Sequence, residues 1–301
     1  MLMLLDSAGL YFRAFHAIPE SITAPDGAPV NAVRGFLDMT AALVGQRRPQ
    51  GLVACWDDDW RPQWRVDLID SYKTHRALGD GAEQIPGSLP DQVPIIVELL
   101  AAMGITRIGH PGFEADDVLG TLARRYGARG EPVEVVTGDR DLIQLVDDAA
   151  GIQVLYIGRG IRRLEVLDEA AVRAAYGVTP RQYSDLAILR GDPSDGLPGI
   201  PGVGARTAVG LLERYGDLAS LRAAVAAGTA PIRPSIIRGL IEGADYLDRA
   251  VPVVQVADVP LAEVEVAIPP TPADPQRLAE LAERWGVSTS VQRLTEALTK
   301  L

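Results

Sequence analysis

Short runs of apolar residues recur through the first half of the chain, each too brief for a helix and too continuous for a half-buried strand. Leu2-Met3-Leu4-Leu5, Leu52-Val53-Ala54-Cys55-Trp56 and Val133-Glu134-Val135-Val136 are of this kind. They predict buried strands over 2–6, 51–57, 105–108, 132–137 and 152–156. Between them, apolar positions fall at helical spacing from Ala32 to Val44 and from Val93 to Met103. Glu114 to Tyr126 reads as a further helix, entered through Pro111-Gly112. This alternation predicts an α/β fold, a mostly parallel sheet flanked by helices. Gly79, Gly81, Pro86, Gly87, Pro90 and Pro94 interrupt residues 77–94, which predicts a mobile insertion above the sheet with no long regular element.

From about residue 168 the pattern changes to helices and tight turns. Asp168 reads as an N-cap and Thr179-Pro180 as a second helix start. Gly191 to Gly204 forms a turn-rich connector into a helix from Ala205 to Tyr215, and a third helix is expected from Ser235 to Ala250. Residues 251–274 are proline-rich and read as extended, and a closing helix pair is expected over 275–299. Three units are therefore expected: 1–167, 168–250 and 251–301.

Composition adds little to the fold and much to the chemistry. The 301 residues are 47% hydrophobic and 23% charged, ordinary for a globular protein. One cysteine, Cys55, excludes a disulfide framework and a zinc-cysteine site, and His16, His75 and His110 lack zinc-ligand spacing. With no signal peptide and no membrane-length apolar stretch, a cytoplasmic protein is expected. Met1 and the closing helix pair point to a free-standing protein.

Three predicted strands end in acid: Asp6, Asp57 and the doublet Asp139/Asp141. Two further clusters are Glu114-Ala115-Asp116-Asp117 and Asp192-Pro193-Ser194-Asp195. An Asp after a strand is ordinarily a helix N-cap, and acids at a helix start are favoured by its dipole. Three strands ending alike, at the carboxyl edge where open α/β sheets build sites, favour a shared pocket. Nine converging carboxylates need cations to stay ionised, so the pattern implies bound divalent metal. These nine account for most of the net charge of −11, which therefore does not exclude a nucleic-acid partner.

Two other features stand out. Lysine occurs only at Lys73 and Lys300, and Tyr72-Lys73-Thr74-His75-Arg76 sets Lys73 and Arg76 on one helical face. A solvated surface turn is the plain alternative to a phosphate-steadying role. Gly199-Ile200-Pro201-Gly202-Val203-Gly204, followed by Ala205-Arg206-Thr207, places a glycine-bearing turn at a helix start. Turn chemistry alone accounts for such residues, yet exposed amides there would suit a nucleic-acid phosphate.

Taken in order, these motifs closely resemble the 5′-nuclease family of flap endonucleases and the 5′→3′ exonuclease domain of bacterial DNA polymerase I. The resemblance runs through Leu5-Asp6 with Tyr11-Phe12-Arg13-Ala14-Phe15, Trp56-Asp57, Tyr72-Lys73 with Arg76, and Gly112-Phe113-Glu114-Ala115-Asp116-Asp117. It continues through Thr137-Gly138-Asp139-Arg140-Asp141, Gly191-Asp192 with Asp195, and Pro198 to Gly204. It implies a PIN-like core with a helix–three-turn–helix (helix-hairpin-helix-like) DNA-binding domain. Asp6, Asp57, Glu114 and Asp116 would surround a first metal with Asp117 close by, and Asp139, Asp141, Asp192 and Asp195 a second. Mg2+ or Mn2+ is implied, in two or more ions. Lys73 and Arg76 would contact the scissile phosphate. Gly199, Gly202, Val203, Gly204 and Arg206 would hold duplex DNA, with K+ at the hairpin carbonyls.

The implied activity is structure-dependent 5′→3′ exonuclease and flap cleavage of DNA, and of RNA primers on DNA, in replication and repair by a monomer in the cytoplasm at the nucleoid. A PIN-type ribonuclease and a non-catalytic junction-binding protein are the competing readings. The chain departs from the family pattern twice. Gly196 stands where Asn is common, and residues 77–106, which include the expected arch, carry Asp80, Glu83, Asp91 and Glu98 but no Lys or Arg. Electrostatic capture of a threaded strand should therefore be weaker.

Overall fold

The computed structural model describes residues 1–78 and 83–301. Six strands, β1 Leu2–Asp6, β2 Gly51–Cys55, β3 Thr106–Ile108, β4 Val133–Thr137, β5 Ile152–Tyr156 and β6 Glu165–Leu167, form one sheet. Their order is β3-β2-β1-β4-β5-β6. All neighbours run parallel except the β5–β6 pair. Every residue of β1, β2 and β4 is buried, as central parallel strands require. Alternate side chains feed two cores. Leu4, Val53, Val135 and Val154 face one side, and Met3, Leu5, Ala54 and Val136 the other.

The helices are α1 Ser7–Ala17, α2 Asn31–Arg47, α3 Gln63–Leu68, α4 Leu89–Met103, α5 Ala115–Gly127, α6 Glu169–Tyr176 and α7 Tyr183–Arg190. They continue with α8 Ala205–Tyr215, α9 Leu218–Ala226, α10 Pro234–Glu242, α11 Ala244–Val254, α12 Pro275–Arg284 and α13 Ser288–Thr299. The last pair returns to the core: Arg293 pairs with Asp38 of α2 at 3.1 Å and Arg277 with Glu98 of α4 at 2.7 Å. No described helix is long and apolar enough to cross a membrane.

Several expectations need correction. The second strand stops at Cys55, so Asp57 lies beyond it, and the short edge strand β6 was not foreseen. Gly79–Ala82 of the expected insertion lie outside the described residues, but α4 already begins at Leu89. Pro90 sits in the first turn, where no N–H is needed. Pro94 does lie inside the helix, but it and Pro90 are exposed, so water can satisfy the freed Pro90 carbonyl. The helix expected over 235–250 is two helices broken at Gly243, where an added Cβ would stand 2.8 Å from Ile200 Cδ1 and Gly239 O. Gly243 thus packs closely against Ile200 where the two helices meet. Helices α1, α3 and α9 also went unforeseen.

Candidate active site

The chain runs outward from β1 through β2 to β3, then returns to β4 beside β1. The crevice at the carboxyl ends of β1 and β4 is therefore the topological switch point, where open sheets bind ligands. Asp6 ends β1 here, buried, and accepts hydrogen bonds from Gly9 N and from Thr137 Oγ1 at the end of β4, both at 2.8 Å. Asp139 follows two residues beyond β4, its amide tied to Thr137 Oγ1 at 2.9 Å. Asp57, from the turn after β2, accepts the first amide of α5, Ala115 N, at 2.7 Å. Glu114 and Asp116 stand at the start of the same helix. A cavity of about 560 Å³ is lined by Asp6, Asp57, Glu114, Asp116 and Asp139 together with Lys73 and Arg76.

Electrostatics record how closely these acids face one another. Burial, helped by Glu114 and Asp6, pushes the Asp57 carboxyl up to about 7. Burial also raises Asp6 against its two hydrogen bonds, and Asp139 adds to the rise. Asp116 is held well above the usual carboxylate range by burial and by Asp139 and Asp6. Asp141 is raised the same way, by burial and by Asp139, Asp195 and Asp192. Asp139 thus links two groups of acids. It also lines a second cavity of about 620 Å³ with Asp141, Asp192, Arg190 and Gly204. Among the described residues no three His, Cys, Asp or Glu side chains are already gathered tightly enough to hold an ion by themselves. The oxygen donors lining each cavity fit hard divalent cations, which would relieve the mutual repulsion.

Lys73 and Arg76 were expected on one face of a helix. The structure instead puts Lys73 in the left-handed region, φ 49°, ahead of a single 3-10 turn, Thr74–Arg76. Lys73 Nζ donates to Glu114 Oε2. Burial acts to lower this lysine, but Glu114 foremost outweighs it, so its ammonium is held well above the ordinary value. Tyr72 Oη donates to the other Glu114 oxygen at 2.7 Å. Arg76 reaches Ser194 O at 3.2 Å and Asp195 at 3.7 Å.

Asp117 is a correction. Its oxygens accept Arg65 Nη1 at 2.8 Å, Arg65 Nη2 at 2.7 Å, Ala257 N at 2.8 Å and Glu114 N at 3.2 Å. These bonds fill the roughly four lone-pair sites of a carboxylate, which leaves none for a cation. Asp117 instead anchors Arg65, whose Nη1 also lies 3.3 Å from Glu114 Oε1. The hairpin needs a similar division. Gly199 is buried with its amide on Tyr246 Oη at 3.3 Å, and the Val203 amide bonds Ile200 O at 3.0 Å. Gly202, Gly204 and Arg206 face solvent, and α8 begins with no side-chain cap.

Sequence reasoning missed Arg65, Tyr72 as a partner of Glu114, and Thr137 as the bridge to Asp6. It also gave no role to Arg13, which lines the first cavity with a buried Nε lacking a hydrogen-bond partner among the described residues. Only Tyr72 and Thr137 carried a signal, their place beside Lys73 and Gly138-Asp139.

Comparison with known proteins accords with this arrangement. The model of the family described as 5′-3′ exonuclease, N-terminal resolvase-like domain, matches residues 1–177, and that of the 5′-3′ exonuclease, C-terminal SAM fold, matches residues 178–275. A 5′-3′ exonuclease of Streptomyces coelicolor is 54% identical over 303 residues, 99% of this chain and 100% of that one. One of Mycobacterium tuberculosis is 48% identical over 314 residues, 100% of this chain and 98% of that one. A DNA polymerase I of Mycobacterium leprae is 39% identical over 99% of this chain, which spans 32% of the relative. In fold, the chain resembles a bacteriophage T5 flap endonuclease solved as a pseudo-enzyme-product complex with DNA and metal ions. The TM-score is 0.66 at 14% identity, covering 99% of this chain and 98% of that one. The catalytic core of Rad2 in complex with DNA substrate is similar too, with TM-score 0.63 and 15% identity over 98% of this chain and 91% of that one. A PIN-like, resolvase-type sheet domain joined to a SAM-like helical region, with acids gathered at the switch point, thus marks this chain as a nuclease belonging to the 5′-3′ exonuclease family.

Proposed function

We propose that the protein hydrolyses phosphodiesters of DNA, and of RNA primers on DNA, at nicks, gaps, flaps and recessed 5′ ends during replication and repair. It would act as a monomer in the cytoplasm, at the nucleoid. The observation that carries this reading is the position of Asp139, shared between the switch-point cavity and the second cavity that reaches Gly204 at the start of α8. A strand end in the first cavity and a duplex backbone on the hairpin would then be adjacent. In this reading residues 1–167 are the nuclease core, 168–250 hold duplex, and 251–301 pack back on the core.

Asp6, Asp57, Glu114 and Asp116 would hold one Mg2+ or Mn2+, and Asp139, Asp141, Asp192 and Asp195 a second. Bound there, the ions supply Lewis acidity at the phosphoryl oxygens and a lowered pKa for an attacking water. Lys73 and Arg76 orient the phosphate and neutralise charge developing on it. Glu114 holds the Lys73 ammonium at the cavity wall, and Arg65 holds Glu114. Gly202 and Gly204 present open main chain to a duplex phosphate, Arg206 adds a cation, and K+ would sit at the hairpin carbonyls. A groove that shares Arg13 and Ala17 with the first cavity is lined by Arg159, Arg162 and Arg163, which offers positive charge that residues 77–106 lack.

Product mapping on 5′-labelled flaps of varying length tests this. Short 5′ products from flapped and nicked duplexes, and none from single-stranded RNA, are expected. Preferential cleavage of single-stranded RNA would overturn it.

A further inference from the structure

The turn that carries Lys73 meets the 192–196 loop along a close seam. Ser71 Oγ donates to Gly196 O at 2.6 Å, Lys73 N to Asp195 O at 3.2 Å and Arg76 Nη2 to Ser194 O at 3.2 Å. All three bonds end on main-chain carbonyls, so they fix one loop to the other whatever the side chains of 194–196 do. Gly196 has φ +73°, and a Cβ built there would lie 2.0 Å from Ser71 O and 2.8 Å from Ser71 C. The clash is with backbone, which cannot swing aside. Only glycine allows the two loops to approach this far. On its other side the turn is held by Arg61, whose Nε donates to Tyr72 O at 2.6 Å and Nη2 to Thr74 Oγ1 at 3.1 Å. Lys73 itself keeps a left-handed backbone that a non-glycine residue holds only when its surroundings impose it.

We propose that Ser71 and Gly196 are positioning residues. Their contact clamps the Lys73 turn onto the loop of Asp192 and Asp195, and this clamp sets where Lys73 and Arg76 stand relative to both groups of acids. Each cation is thereby tied to both groups of acids. Lys73 reaches Glu114 by its side chain and Asp195 by its amide, and Arg76 spans Ser194 and Asp195. Loosening the seam frees the turn to leave the left-handed region and withdraws the Lys73 ammonium from Glu114. The catalytic consequence rests on the nuclease reading, whereas the placement of Lys73 does not.

The chain's two lysines allow a direct test. The Lys300 side chain is 74% exposed and that of Lys73 12%. In the intact protein, amine acylation at fixed pH, read by peptide mass spectrometry, should modify Lys300 about tenfold or more faster than Lys73, which reacts through local opening. Gly196→Ala should raise the Lys73 rate severalfold with Lys300 unchanged. Ser71→Ala, which removes one bond and adds no bulk, should raise it less. With a flap substrate both variants should lower kcat more than they change KM. Unchanged Lys73 labelling in folded Gly196→Ala would overturn the clamp. If that variant does not fold, wild-type labelling and kcat in Ser71→Ala would overturn it instead. Faster labelling with unchanged kcat would overturn the positioning role. Failure of the wild-type protein to cleave any nucleic acid would count against the nuclease reading, and the labelling result would still decide the clamp.

Discussion

Helices α5 and α8 both begin at the site after a glycine-bearing turn, yet they treat their first amides in opposite ways. The start of α5 is crowded with acid: Asp57 accepts Ala115 N at 2.7 Å, Asp117 accepts Glu114 N at 3.2 Å, and Asp116 faces the cavity. The start of α8 has no side-chain cap and no acid in its first turn, and Gly204, Ala205 and Arg206 are exposed. One end is saturated with negative charge and calls for cations; the other leaves partial positive charge open to an anion. A phosphodiester bridging cation and amide would use both. In the proposed reading the two ends would divide chemistry from grip, so that each could be removed alone.

Chelation should strike the α5 side hardest. Removing divalent ions should lower cleavage by about 10⁴-fold or more, while duplex binding at fixed ionic strength holds within about twofold. Gel cleavage and fluorescence anisotropy in the same buffer check this.

Arg65→Ala comes next, because it strands the buried Asp117 carboxylate without its partner. Urea unfolding should show a loss of about 3–5 kcal/mol. Arg65→Lys should lie between, since an ammonium cannot reproduce the two-pronged contact.

A smaller effect links protons and ions. Asp57 titrates at about 7 in the folded protein against an ordinary 3.8, so the folded state holds more protons between those values. Ion-free stability should therefore fall as pH rises from about 4 to 7. Mg2+ at a hundred times its Kd should restore about 2.7 kcal/mol at pH 7.5. It should restore less at pH 5.5, where protons compete for the same oxygens. Thermal shifts at both pH values measure the difference.

On the α8 side, Arg206→Glu should weaken duplex binding about tenfold and reduce the salt slope by about 1. Its kcat at saturating substrate should match the unaltered protein.

Much of this contrast was legible in the chain. Apolar runs closed by Asp6 and Asp139 announced strands with acids at their carboxyl ends, because a central parallel strand is buried on both faces and reads as a mostly apolar run. What stayed hidden depends on residues distant in sequence. Asp117 looks like any other member of Glu114-Ala115-Asp116-Asp117 until Arg65 is seen against it. Gly199 resembles Gly202 and Gly204 in spacing, yet Gly191 and Tyr246 bury it. Gly243, where α10 gives way to α11, packs against the distant Ile200, and the first turn of α4 was obscured by prolines that a helix start accepts.

Asp139 is the acid common to both cavities. Single-turnover cleavage and equilibrium binding of one 5′-flap duplex, measured with Asp139→Ala in Mg2+, test its role most directly. A fall in rate of about a thousandfold, equivalent to about 4 kcal/mol, with binding within about threefold of the unaltered protein is predicted. Cleavage at the unaltered rate would contradict it.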